Sequence, residues 1–226
     1  MKAILTELID QGYMKAILTE LRYQQANLLL HAVKFTIDKK LDQEKSISFR
    51  EEFDATYSGK DISDVWRQFA IWMLVDPEHG VIRFTDFSSR YNGNYPWGNQ
   101  RAAIQHVAEL YIHDCKDEDQ WKDAKENNFY AYGYTLSVSV TVAAANAAWF
   151  AMEAARFAAE AAWFALRCVI RNEQFERDDD GILINLTWGA VAAAVKSVHK
   201  GSCLILSYQT MADKLIELIK QAPEAT

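Results

Sequence analysis

Four residues have the types and spacing to be weighed for metal chemistry. His106, Glu109, His113 and Asp117 recur at i, i+3, i+7 and i+11, one face of a helix if the helix continues that far. Two imidazoles and a carboxylate are the donor set that zinc and similar ions take. The spacing works against it. Seven residues advance about 10.5 Å along a helix axis, too far for both imidazoles to ligate one ion. The i, i+4 histidine pair of an HExxH helix is absent. The set reads as a polar helix face, and no metal is expected there.

Other chemistry finds no frame. Cys115 follows His113 by two residues, but neither GxSxG nor a Cys-Gly signature surrounds it. GxGxxG and GxxxxGK[ST], the loops that cradle nucleotide phosphates, are missing. Asp178-Asp179-Asp180-Gly181 lacks the alternate spacing and closing glutamate of a calcium loop. The expectation is therefore a chain with no catalytic residue, no metal and no cofactor. An enzyme whose site is assembled from scattered residues is the remaining catalytic alternative.

A different constellation points to recognition. Residues 85–99, TDFSSRYNGNYPWGN, are the longest stretch of turn chemistry in the chain. Asn92-Gly93 and Asn94 favour left-handed backbone, and Pro96 and Gly98 add breaks. Tyr91, Tyr95 and Trp97 sit inside this loop. Large aromatics on an ordered loop are the residues that anchor interfaces, so these three are the candidate interface. They would otherwise pin the loop to the core.

The elements that must position these residues follow from composition and period. The chain has 226 residues, half of them hydrophobic and 24% charged, an ordinary globular balance. Only 3 prolines and 9 glycines argue for long helices over a many-turned β-sandwich. Lys plus Arg is 24 against 31 Asp plus Glu, a net charge of −7. Without a basic stripe, direct nucleic-acid binding is not expected. Cys115, Cys168 and Cys203 form no CxxC pair, which fits a reducing, cytosolic compartment. Residues 127–152 carry no charge, but Ser, Thr and Ala dominate them, so a buried helix is expected over a membrane span.

MKAILTEL occurs at residues 1–8 and again at 14–21. An identical repeat that stops after two copies reads as a local duplication, with residues 1–13 dispensable. Helical spacing then runs to about Leu41. Residues 42–60 read as a loop with a short extended piece at Ser46 to Phe49. A helix starts near Asp61 to Ser63 and ends at Asp76-Pro77, followed by a brief strand at Val81 to Phe84. Helices are expected over Arg101 to Cys115, Asp119 to Glu126, a long tract from Tyr130 to Glu173, Ile184 to His199 and Leu204 to Gln221. The long tract should break near Gly133 or within Ser137 to Thr141, because 44 residues would span roughly 66 Å. The organisation expected is a dispensable segment 1–13, an N-terminal helical part 14–98 with irregular loops, and an Ala-rich bundle 99–226. The alternative is one continuous domain, 14–226.

Residues 147–167 divide into three heptads, AAWFAME, AARFAAE and AAWFALR. Phe150, Phe157 and Phe164 repeat every seven residues, as do Ala147, Ala154 and Ala161. Such a period keeps one seam toward a neighbour. Glu153, Arg156, Glu160 and Arg167 form one narrow charged stripe, with Glu153–Arg156 and Arg156–Glu160 placed to pair. A helix apolar over most of its circumference belongs at the centre of others. The fold class expected is all-α, a helical bundle around this Ala/Phe helix with a less regular N-terminal part.

These Ala-aromatic heptads follow Asp117-Glu118-Asp119-Gln120-Trp121 and precede Tyr208-Gln209-Thr210-Met211-Ala212-Asp213-Lys214-Leu215. Over residues 99–222 the pattern resembles a loose group of phage and bacterial proteins with long AAxxAAxAA helices, some labelled immunity proteins. The resemblance implies a small intracellular protein that acts by binding in phage–host or bacterial conflict, as an anti-defence inhibitor or an immunity-like protein. It brings no catalytic residues with it. The net charge adds a protein partner with a basic, nucleic-acid-handling surface as the expected target. A structural homo-oligomer assembled through the Ala/Phe helix is the alternative.

Overall fold

A computed structural model describes residues 26–27, 29–88, 100–115, 117–127, 142–171, 185–186, 189–196 and 207–225, with backbone alone at 86–88, 142–149 and 165–171. The fold is all-α, a bundle of packed helices; among the described residues there is no strand, only one isolated bridge between Lys60 and Glu224. The MKAILTEL repeat, the candidate break before Thr141 and the Asp178–Asp180 cluster lie outside the described residues.

The helices are α1 (residues 29–38, with 26–27 helical before it), α2 (Gln43–Tyr57), α3 (Val65–Val75), a 3-10 helix (Val81–Ser88), α4 (Gln100–Ile112), α5 (118–127), α6 (Val142–Arg171), α7 (189–196) and α8 (Tyr208–Gln221). α6 has 30 residues, roughly 45 Å at 1.5 Å per residue. α3 packs against α4, α6, α8 and the 3-10 helix; α2 packs against α8, and α6 against α4 and the 3-10 helix. One hydrophobic core runs through these contacts, from Leu29 to Ile219.

Two expectations for the N-terminal half need correction. Residues 42–60 are not a loop: α2 occupies most of them. Asp42 caps the helix, its carboxylate accepting the Lys45 backbone N–H at 3.0 Å. Ser46, Phe49 and Phe53 are buried, with Phe53–Tyr57 stacked at 5.6 Å and Phe49–Phe53 edge-on at 6.0 Å. That stripe holds so few residues that the segment's polar average conceals it. α1 and α2 form an antiparallel hairpin. The Asp38 carboxylate accepts from Ser46 Oγ at 2.6 Å and Arg50 Nε at 2.8 Å, and Lys34 pairs with Asp54.

Val81–Phe84 is not a strand either but opens the 3-10 helix. Gly80 explains the change. A Cβ there would lie 2.4 Å from the Asp76 nitrogen, so the chain turns tightly against the end of α3, with Gly80 N–H donating to Asp76 O at 2.8 Å. Val81, Ile82 and Phe84 are buried into the core at once.

The α6 heptads are buried as the spacing requires, with a redistribution. Ala151, Ala154, Ala155, Ala158, Ala159 and Ala161 are buried, while Phe150, Phe157, Trp163 and Phe164 are half-buried on the flank. Alanine supplies the fully buried positions, and the rings pack beside them. Gly189 of α7 lies against one of those rings: a Cβ there would lie 2.8 Å from the Phe157 ring. No helix among the described residues is long and apolar enough to cross a membrane.

Candidate interaction surface

Tyr91, Tyr95 and Trp97 lie outside the described residues, but both ends of their loop are described. At one end, Val81, Ile82, Phe84 and Thr85 of the 3-10 helix are buried, and Thr85 Oγ1 donates to Ile82 O at 2.6 Å. At the other, Gln100 and Ile104 of α4 are buried. The 3-10 helix and α4 pack on each other and both pack on α6. The elements that flank residues 89–99 are therefore two adjoining, core-anchored helices. A loop on a rigid scaffold is the usual arrangement for recognition.

The polar face considered for metal does not converge. His106 is half-buried, whereas Glu109, His113 and Asp117 are exposed. α4 stops at Ile112, and Asp114 adopts a left-handed φ of 48°, so the helix does not reach Asp117. Asp117 begins the next element. Its carboxylate accepts from Gln120 Nε2 at 3.0 Å and from the backbone N–H groups of Gln120 at 3.4 Å and Asp119 at 2.9 Å. These bonds, from Gln120 first, hold its carboxyl below the usual aspartate range. Among the described residues no three His, Cys, Asp or Glu side chains are grouped to hold a metal ion.

Cys115 is half-buried. Its backbone carbonyl accepts from Trp121 Nε1 at 3.1 Å, and its thiol lies 3.6 Å from Gln120 Oε1. Cys168 and Cys203 have no described side chain.

The structure brings together a polar set that spacing did not single out. Tyr111 of α4 is buried, and its hydroxyl donates to the Ala158 carbonyl of α6 at 2.7 Å. Burial pushes this phenol up, well above the ordinary tyrosine range; Trp66 of α3, beside it, acts weakly in the opposite sense. Trp121 of α5 meets the Tyr111 ring edge-on at 4.8 Å. Arg67 of α3 pairs with Asp64, and its Nη1 donates to the Tyr111 and Ile112 carbonyls at 3.1 and 3.3 Å, capping the end of α4. The Asp64 bond favours the protonated guanidinium further. Each of these groups joins one helix to another, so their chemistry is spent on position. Only the residue types hinted at the Tyr111–Ala158 and Arg67–Tyr111 bonds, whose partners lie 47 and 44 residues apart in sequence.

On α6 the expected charge stripe pairs as spaced. Arg156 reaches Glu153 at 3.1 Å and Glu160 at 3.2 Å, and Lys125 of α5 adds a bond to Glu160 at 2.9 Å. A cleft of about 80 Å³ between α2 and α8 has Phe49, Ala212 and Ile216 as its floor and Lys45, Glu52 and Asp213 at its rim. Pockets that enclose small-molecule ligands run to roughly 300–1,000 Å³, so this one admits waters or a single side chain.

No family model, no curated protein and no solved structure matches the chain.

Proposed function

We propose that this chain is a binding protein that inhibits or neutralises another protein in phage–host or bacterial conflict. The observation that carries the reading is the mounting of residues 89–99. The 3-10 helix before them and α4 after them are both held to α6 by buried residues. Such mounting limits the conformational freedom a loop loses on binding, which favours affinity. The burial of Tyr111, Trp121 and the Ala158 contact in interhelical bonds supports the same reading, because the buried polar groups serve the scaffold. The net charge of −7 favours a partner with a basic surface, such as one that handles nucleic acid. Assembly of copies through the α6 seam is less favoured, since Ala154 and Ala161 are fully covered within the chain.

The test is capture of a partner from bacterial lysate by the native chain and by a Tyr91→Ala, Tyr95→Ala, Trp97→Ala triple variant, with folding checked by circular dichroism. The triple variant is expected to lose at least about tenfold in apparent affinity, as loss of aromatic anchors does. Capture by the native chain should weaken as salt rises. A His106→Ala, His113→Ala variant serves as the control. If the folded aromatic variant captures at full strength while the histidine variant fails, recognition does not run through the loop and the polar face of α4 takes its place.

A further inference from the structure

The segment after α8 turns back and pairs with the connection between α2 and α3. Asp61 N–H donates to Pro223 O at 2.8 Å, and Ala225 N–H donates to Gly59 O at 2.8 Å, making Lys60 and Glu224 opposite members of an antiparallel bridge. Lys60 Nζ meets Glu224 Oε1 at 2.6 Å. This is the one place among the described residues where extended backbone pairs with extended backbone.

The two sides are held unequally. Residues 59–61 are fixed from within. Gly59 has a φ of 79° where α2 ends, Asp61 Oδ1 accepts the Ser63 N–H at 3.1 Å, and Ile62 is fully buried. Residues 223–225 are all exposed, and the Glu224 side chain is 76% exposed. Their hold is two backbone bonds and a surface ion pair, a kind of pair that contributes little in water. α8 itself is anchored separately by Met211, Leu215 and Ile219. Release of the strap therefore leaves the core untouched and bares a preformed backbone donor, a backbone acceptor and a lysine.

We propose that residues 59–61 are a docking edge for an extended acidic segment, and that the chain's own residues 223–225 fill it in this structure. Backbone bonds of strand-addition type supply the contact, and Lys60 selects a carboxylate at the central position. The proline before Glu224 shows what fits: the backbone position opposite Asp61 accepts a bond and donates none. A tethered strap competes at millimolar effective concentration, so an outside segment gains access when the strap is loosened. The edge does not depend on the loop-borne recognition proposed above.

Ala225→Pro removes the N–H that bonds Gly59 O, while Ala225→Ser keeps it. In the full-length chain, amide exchange at Asp61 should rise about tenfold or more in Ala225→Pro over Ala225→Ser, with α2 and α3 amides unchanged, as expected of a local opening. The peptide Gln-Ala-Pro-Glu-Ala-Thr, added at about 5 mM to outcompete a loosened tether, should shift the Gly59, Lys60 and Asp61 amide resonances of Ala225→Pro and not those of Ala225→Ser. Lys60→Glu placed in the Ala225→Pro background should abolish the shifts. Equal exchange at Asp61 in the two variants would overturn the proposal, as would faster exchange throughout α2 and α3. So would faster exchange at Asp61 with no peptide shift.

Discussion

The α1–α2 hairpin and the α6–α7 pair close on the core by opposite means. α2 carries a narrow stripe of large rings, Phe49, Phe53 and Tyr57, among polar residues, and side-chain bonds from Asp38 and Lys34 tie it to α1. α6 and α7 bury small residues instead. Ala154, Ala158 and Ala161 on one and Gly189, Ala190 and Ala194 on the other are buried. Where rings fill the space, the helices stand apart and a missing ring leaves a void. Where the buried residues are small, as where Gly189 of α7 meets the Phe157 ring of α6, an added carbon has nowhere to go. The two regions should therefore fail under opposite substitutions.

The largest effect is expected in the hairpin. Phe53→Ala removes a fully buried ring that meets Phe49, Tyr57 and His31, and it should cost about 3–5 kcal/mol. Chemical denaturation should show a midpoint lowered to match; a midpoint near that of the native chain would mean the hairpin is not part of the cooperative unit. Ala161→Leu tests the other region from the opposite direction and should cost about 1–3 kcal/mol by overpacking. Gly189→Ala should fall at the lower end of that range. Its Cβ meets the Phe157 ring at 2.8 Å, against which alanine's better helix propensity returns up to about 1 kcal/mol. If Gly189→Ala raises the midpoint, the α6–α7 approach is looser than the contact requires.

The smallest effect is a pH term at the end of α3, between the two regions. Burial raises the Asp76 carboxyl, but the His79 and Glu78 backbone N–H bonds, with the His79 side chain, outweigh it and leave the pKa lowered. A lowered carboxyl stabilises the fold above the usual aspartate range and loses that contribution as pH falls through its folded value. Asp76→Asn should therefore narrow the stability gap between pH 6 and pH 3, about the range over which such a group titrates. Thermal midpoints across that interval would show it, and parallel curves for the two chains would remove Asp76 from the acid limb.

The same contrast explains which elements could be read in advance. α6 was legible because its heptads repeat one residue type at one spacing over three turns of the pattern, and its charge stripe paired as spaced. α3 and α8 were legible from dense apolar residues between clear start and stop signals, with Ser207 capping α8 a few residues inside the expected start. α2 was not, because the apolar residues that bury it are few among many charges. The reading of Val81–Phe84 failed differently: its residues prefer strands, and only the crowded turn at Gly80 decided otherwise. Of the candidate interface, composition marked the loop, and the structure adds the two buried ends that mount it.

By itself the sequence determined the all-α class, the buried alanine face of α6 and the pairing along its charged stripe. Each depends on residues within a few turns of one another, where helical spacing alone dictates neighbours. Tertiary structure decided the rest. That Tyr111 bonds Ala158, that Arg67 closes α4, and that residues 59–61 meet 223–225 are contacts between distant positions. No local period encodes which distant backbone group a buried side chain meets, because packing of whole helices sets it. The same packing made a helix of α2, whose few rings gain their stability only when α1 and α8 lie against them.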